Sequence, residues 1–121
     1  MNKVLLTGNL CQEVEVKETV SGRTFTKNIV AVQREFKNAN GDYESDYITF
    51  TAWGGAATYL GNYASKGDKV EIVGRWETGK FETTNGTMQY TNDCIVESIK
   101  VYSSKPKEKN DPAPVEEDLP F

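Results

Sequence analysis

The sequence predicts a mainly all-β domain: a small five-stranded Greek-key barrel with one short helix, followed by a disordered acidic tail. Three observations predict it. Short apolar and β-branched runs are separated by Gly, Asn and Asp turn pairs. A single interval, between Gly54 and Lys66, carries apolar residues at helical spacing. All four prolines, Pro106, Pro112, Pro114 and Pro120, lie after residue 105. A chain of 121 residues suits one domain with a real apolar core and is too short for two ordinary ones.

The elements follow in order. Asn2 to Gly8 is apolar and β-branched, and after a break near Asn9 the alternation Val14, Val16 continues it, so a long or bulged first strand is expected. Ser21-Gly22 turns the chain into Thr24 to Arg34, where Phe25, Ile29 and Ala31 alternate with Val30 and Val32, a pattern of burial on much of both faces. Asn38 to Asp42, with Asn40-Gly41 inside it, is the next turn, and Glu44 to Trp53 the third strand. Ala57, Leu60, Tyr63 and Ala64 then mark a short helix. Gly67-Asp68 leads into a strand at Lys69 to Trp76. A hairpin of Lys80 to Thr84 and Thr87 to Asn92 follows around Asn85-Gly86, and Cys94 to Tyr102 closes the domain. Three strands, a helix, then two or more strands is the order of an OB-fold, whose helix plugs the gap between strands three and four.

Composition removes several function classes. The chain has no histidine, and Cys11 and Cys94 lack metal-ligand spacing, so neither a zinc site nor a histidine-based nucleophile is expected. Both cysteines read as buried or half-buried thiols. No cofactor and no enzymatic activity are expected. Glu13, Glu15 and Glu18 are the nearest approach to the acid cluster of a metal-dependent nuclease, and a solvated strand face explains them better. The N-terminus offers only Val4, Leu5 and Leu6 before polar Thr7, too little for a signal peptide or a membrane span, so a cytoplasmic location is expected. Net charge is −4, two negative charges each from residues 1–102 and 103–121. A nearly neutral body binds nucleic acid only if its cations share a face.

The third strand carries the first functional signal. Tyr47, Thr49, Thr51 and Trp53 share one parity, and Ile48, Phe50 and Ala52 the other. The aliphatic and phenyl set makes the more economical core, which leaves Tyr47 and Trp53 outside, suited either to stacking bases or to packing in a subunit interface or under a loop. Phe36, between Arg34 and Lys37, and Phe81, after Lys80, sit at turns beside cations. Such pairs can clamp a base and its phosphate, or simply form a solvated hairpin tip.

Asn2-Lys3-Val4-Leu5-Leu6-Thr7-Gly8-Asn9-Leu10 resembles the opening strand of the bacterial and phage single-stranded DNA-binding proteins, and the resemblance extends to about Tyr102. It implies a homotetramer of OB-folds around which single-stranded DNA wraps. The family's stacking aromatics would fall on Phe36, Tyr47, Trp53 and Phe81. Phe36, Tyr47 and Phe81 stand where many members carry tryptophan, which implies smaller stacking areas, and Ile48 stands where some place a histidine at the subunit contact. Lys3, Lys27, Arg34, Lys37, Lys69, Arg75 and Lys80 are the candidate phosphate ligands, with Arg34, Lys37 and Lys80 favoured by their aromatic neighbours.

Residues 1–102 are thus expected to form the DNA-binding and oligomerisation domain, residues 103–115 a disordered linker, and residues 116–121 a partner-recruiting tip. Glu116, Glu117, Asp118, Leu119, Pro120 and Phe121 resemble the family's acidic tip, which recruits replication, recombination and repair enzymes. Phe121 offers an apolar plug, the acids suit a basic rim, and Pro120 limits the conformations lost on docking. The competing expectation is an OB-fold accessory module that binds protein or RNA without wrapping single-stranded DNA.

Overall fold

The computed structural model describes residues 1–102; the expected linker and tip lie outside them. The elements are β1 (Val4–Leu10), β2 (Lys17–Glu18), β3 (Thr24–Lys37), β4 (Tyr43–Trp53), α1 (Gly55–Tyr63), β5 (Lys69–Glu82) and β6 (Met88–Tyr102). The sheet order β1-β5-β6-β4-β3-β2 is closed by pairing of β1 with β3, which makes a barrel of five principal strands with two-residue β2 appended. Neighbours are antiparallel except β4 and β6, which run parallel where Phe50 and Thr51 meet Cys94 and Ile95. The expected OB-type barrel is therefore the fold, with α1 between the third and fourth principal strands.

Closure depends on one small residue. A Cβ on Gly8 would overlap the carbonyl of Ala31, so only glycine lets β1 approach β3 closely enough to seal the barrel. Inside, Leu10, Val30, Phe50, Ala52, Val70, Ile72, Cys94, Val96 and Val101 meet Ala57, Leu60 and Ala64 of the helix region. The Tyr59 hydroxyl accepts the Val101 N–H at 3.2 Å and ties α1 to β6, and burial raises its pKa. Cys94 is buried, which pushes its thiol pKa up, and Cys11 is half-buried.

Three expectations about element bounds need correction. The first strand runs through Asn9 to Leu10 without a break, and residues 11–16 that follow are irregular rather than a strand. Side chains hold that segment in place of a ladder: the Thr26 hydroxyl donates to the Glu15 carbonyl, and the Asn28 amide exchanges hydrogen bonds with the Gln12 backbone. Glu13 and Glu15 are therefore exposed acids of a connecting segment. Beyond Trp76 the chain does not pause. Lys69–Glu82 and Met88–Tyr102 are each single strands, paired from Lys69↔Tyr102 to Glu82↔Met88 across the Asn85-Gly86 turn. Polar, half-apolar sequence is enough for a strand there because a long antiparallel partner satisfies its backbone.

Candidate nucleic-acid interface

Both long hairpins outrun the barrel. From Gln33 to Lys37 in β3, and from Trp76 to Glu82 in β5 with Met88 to Asn92 in β6, every residue is exposed. Two two-stranded arms result, each tipped by a glycine at positive φ, Gly41 (86°) and Gly86 (85°). Asn38 shapes the first tip, its side-chain oxygen accepting the N–H groups of Asn40 and Asp42.

A groove of about 550 Å³ lies between the outer face of β3 and β4 and the base of the β5–β6 arm. Lys27, Thr49, Thr51 and Trp53 form one wall, and Glu77, Gly79, Thr91, Asp93 and Ile95 belong to the other. Strand parity extends both walls outward: Tyr47 follows Thr49 along β4, and Phe81 follows Gly79 along β5. Tyr47 is 70% exposed and Phe81 55% exposed. Phe36 is 82% exposed on the other arm, but parity does not aim it, because the pairing shifts between Gln33↔Ser45 and Lys37↔Tyr43.

Trp53 differs from these three. It is half-buried, directly opposite Phe25 in the β3–β4 register, with ring centroids 5.2 Å apart. The Arg23 guanidinium lies over its ring, 4.1 Å from the centroid. Parity also misplaces Thr51, which shares the outward face yet is buried, its hydroxyl hydrogen-bonded to Asp93 of β6. β6 runs alongside β4 there, Thr51 pairing with Ile95, and brings Asp93 against the hydroxyl.

The seven expected phosphate ligands divide into groups. Lys27 lines the groove. Lys80, beside Phe81, is exposed on the β5–β6 arm, and Lys37 is exposed with its ammonium 5.7 Å from the Tyr43 ring. Arg34 is held by Asp46 at 2.8 Å and Glu44 at 3.2 Å. The hydrogen bond to Asp46 raises the Arg34 pKa and lowers that of Asp46. Arg75 pairs with Glu77 at 3.0 Å and Lys3 with Glu97. These pairs are solvent-exposed and so exchange readily for other anions. Lys69 lies at the far end of β5 from the groove, 6.0 Å from the Tyr102 ring.

Sequence reasoning passed over Arg23 and Phe25, and also over the acids that face the cations. Arg23 follows the Ser21-Gly22 turn, and Phe25 reads as an interior strand residue; their shared neighbour Trp53 is 28 to 30 positions away. No local signal joins them. Among the described residues no group of three His, Cys, Asp or Glu side chains is placed to hold a metal ion, and no helix is long and apolar enough to cross a membrane.

Comparison with known proteins gives this architecture its relatives. The model of the single-strand binding protein family matches residues 1–102. The single-stranded DNA-binding protein B of Bacillus subtilis (strain 168) is 32% identical over 108 residues, covering 89% of this chain and 96% of that protein. The single-stranded DNA-binding protein 1 of Streptococcus pyogenes is 33% identical over 129 residues, covering 100% and 99%. An Enterococcus faecalis single-stranded DNA-binding protein is 33% identical, but the chain spans 56% of its length. Among solved structures, a deletion mutant of the single-stranded DNA binding protein from Thermus aquaticus superposes with a TM-score of 0.71 at 21% identity, over 87% of this chain and 52% of that one. That last likeness concerns the fold.

Proposed function

The chain belongs to the single-strand binding protein family, and from that premise we propose that its barrel binds single-stranded DNA without reading sequence, as a protective coat and not as an enzyme. The observation that carries this reading is the groove between the β3–β4 face and the base of the β5–β6 arm, with Trp53 in its wall and Tyr47, Phe81 and Phe36 exposed on the strands that extend from it. Isolated exposed aromatics stabilise a free domain little, whereas each can stack a base for about 1 to 3 kcal/mol. Stacking on a π-face accepts any base, which accounts for binding without hydrogen-bond readout.

Phosphate contacts are assigned first to Lys27, Lys37 and Lys80, which make no ion pair among the described residues. Arg34, Arg75 and Lys3 join by trading their carboxylate partners for phosphate, and Lys69 belongs to a path continuing around the barrel. Assembly as a homotetramer is part of the same proposal. Glu116 to Phe121 then act as a recruiting tip for replication, recombination and repair enzymes in the cytoplasm, several tips per assembly raising the local concentration of a partner.

Titration with oligo(dT), followed by aromatic fluorescence at low and high salt against duplex of equal length, tests the core of this reading. Quenching by the single strand alone, weakening as salt rises, is the expected outcome. Absence of both quenching and binding would sink it and leave a protein- or RNA-binding barrel. Removing Asp118 to Phe121 is expected to leave oligo(dT) affinity intact and to abolish capture of partner enzymes; undiminished capture would refute the tip assignment.

A further inference from the structure

The chain has three arginines, and they stand in different company. Arg34 is committed to Asp46 and Glu44, and Arg75 to Glu77. Arg23 makes no ion pair among the described residues; its guanidinium lies over Trp53 instead. Its backbone is anchored there. The Thr19 N–H donates to the Arg23 carbonyl at 2.8 Å, and the Arg23 N–H donates to the Thr19 hydroxyl at 3.0 Å, closing a turn around Gly22 at φ 92°. The Gly54 N–H donates to the Thr24 carbonyl at 2.8 Å, so the residue after Trp53 is bound to the residue after Arg23. Phe25 supports the indole from the neighbouring strand.

The groove beside Trp53 needs positive charge. Glu77 and Asp93 line it, and Lys27 is the cation among its lining residues. A phosphate entering with a base stacked on Trp53 would face two carboxylates and one ammonium. An exposed guanidinium on an indole is a weak, exchangeable contact, and a guanidinium binds phosphate in a planar, two-pronged manner that an ammonium cannot match.

We propose that Arg23 is a further single-strand ligand: a placeholder on the Trp53 ring in the free protein, which yields the ring to an entering base and takes a phosphate of the same strand. Both gains come only from a ligand that combines a flat apolar ring with an adjacent anion, so the exchange favours a nucleotide chain over a purely apolar or purely anionic ligand. The inference rests on the reading that Trp53 stacks a base.

The test uses the full chain in a Trp76→Phe background, which leaves Trp53 as the one indole. Arg23→Ala and Arg23→Lys are titrated with oligo(dT) across a salt series. Losing one phosphate contact is expected to reduce the slope of log K against log salt by about 0.7, which weakens binding about eightfold near 50 mM salt and converges on the parent toward 1 M. Arg23→Lys is expected to keep the parent slope while changing the Trp53 emission of the free protein, since charge is retained and the planar cover is lost. An unchanged slope in Arg23→Ala, with the parent binding normally, overturns the proposal and leaves the stacking reading standing. Tighter binding by Arg23→Ala at every salt concentration also overturns it, making Arg23 a simple obstruction. If the parent itself does not bind, both readings fall.

Discussion

The barrel body and its two arms are built from the same strands but hold together for different reasons. In the body, β3, β4, β5 and β6 bury Val30, Phe50, Ile72 and Cys94 against one another, and Gly8 lets the ring of strands close. In the arms the same strands continue with every residue from Trp76 to Glu82 exposed, held by cross-strand hydrogen bonds and turn geometry. The difference shows that pairing alone can extend a strand past its core. Residues freed from packing are then available for surface chemistry, and the aromatics Phe36 and Phe81 are found there.

The comparison breaks if body and arm substitutions have similar consequences. The largest separation is expected in stability: Phe50→Ala should cost about 3 to 5 kcal/mol by urea denaturation, whereas Phe36→Ala or Phe81→Ala should stay within about 0.5 kcal/mol. A large loss from either arm substitution would mean that the arm is packed in solution. Binding should show the reverse. Phe36→Ala combined with Phe81→Ala is expected to weaken oligo(dT) affinity by at least about 2 kcal/mol, taking the lower stacking value for each ring. Unaltered affinity in that variant would remove the arms from the interface.

The smallest expected effect concerns the ion pair at the base of the β3–β4 arm. Arg34 holds the Asp46 carboxyl below its ordinary range, so the pair contributes stability that is complete above the ordinary carboxylate pKa and lost as pH falls through the lowered one. Asp46→Asn should remove that portion of the acid-side decline in Tm and leave the neutral-pH fold intact. Because both side chains are about half exposed, the change should be small and should shrink further in high salt. An acid limb identical to that of the unaltered chain would show that the pair contributes nothing measurable.

Much of the barrel was legible from short-range pattern. Val30 and Phe50 are buried as their strand positions require, Gly41 and Gly86 mark the two tips, and the interval around Leu60 is helical. Misreadings occurred where a distant partner overrides local preference. Val14 and Val16 alternate like a strand, yet Gln12 and Glu15 are bound by side chains of β3 and no ladder forms. Thr51 has the parity of an outward residue and is buried beside the neighbouring strand β6, whose Asp93 takes its hydroxyl hydrogen bond.

The site divides in the same way. Chain order is enough to know which residues are aromatic, which are basic, and which strand positions share a face, because side-chain alternation is a property of the extended backbone. Alternation nominates Tyr47 and Trp53, and turn positions beside cations nominate Phe36 and Phe81. Which cations are already paired, where the β3–β4 register slips beside Phe36, and the cover of Trp53 by Arg23 are visible only in the folded barrel. Those outcomes depend on distances between side chains that chain order leaves far apart, and such distances exist only once the barrel has closed.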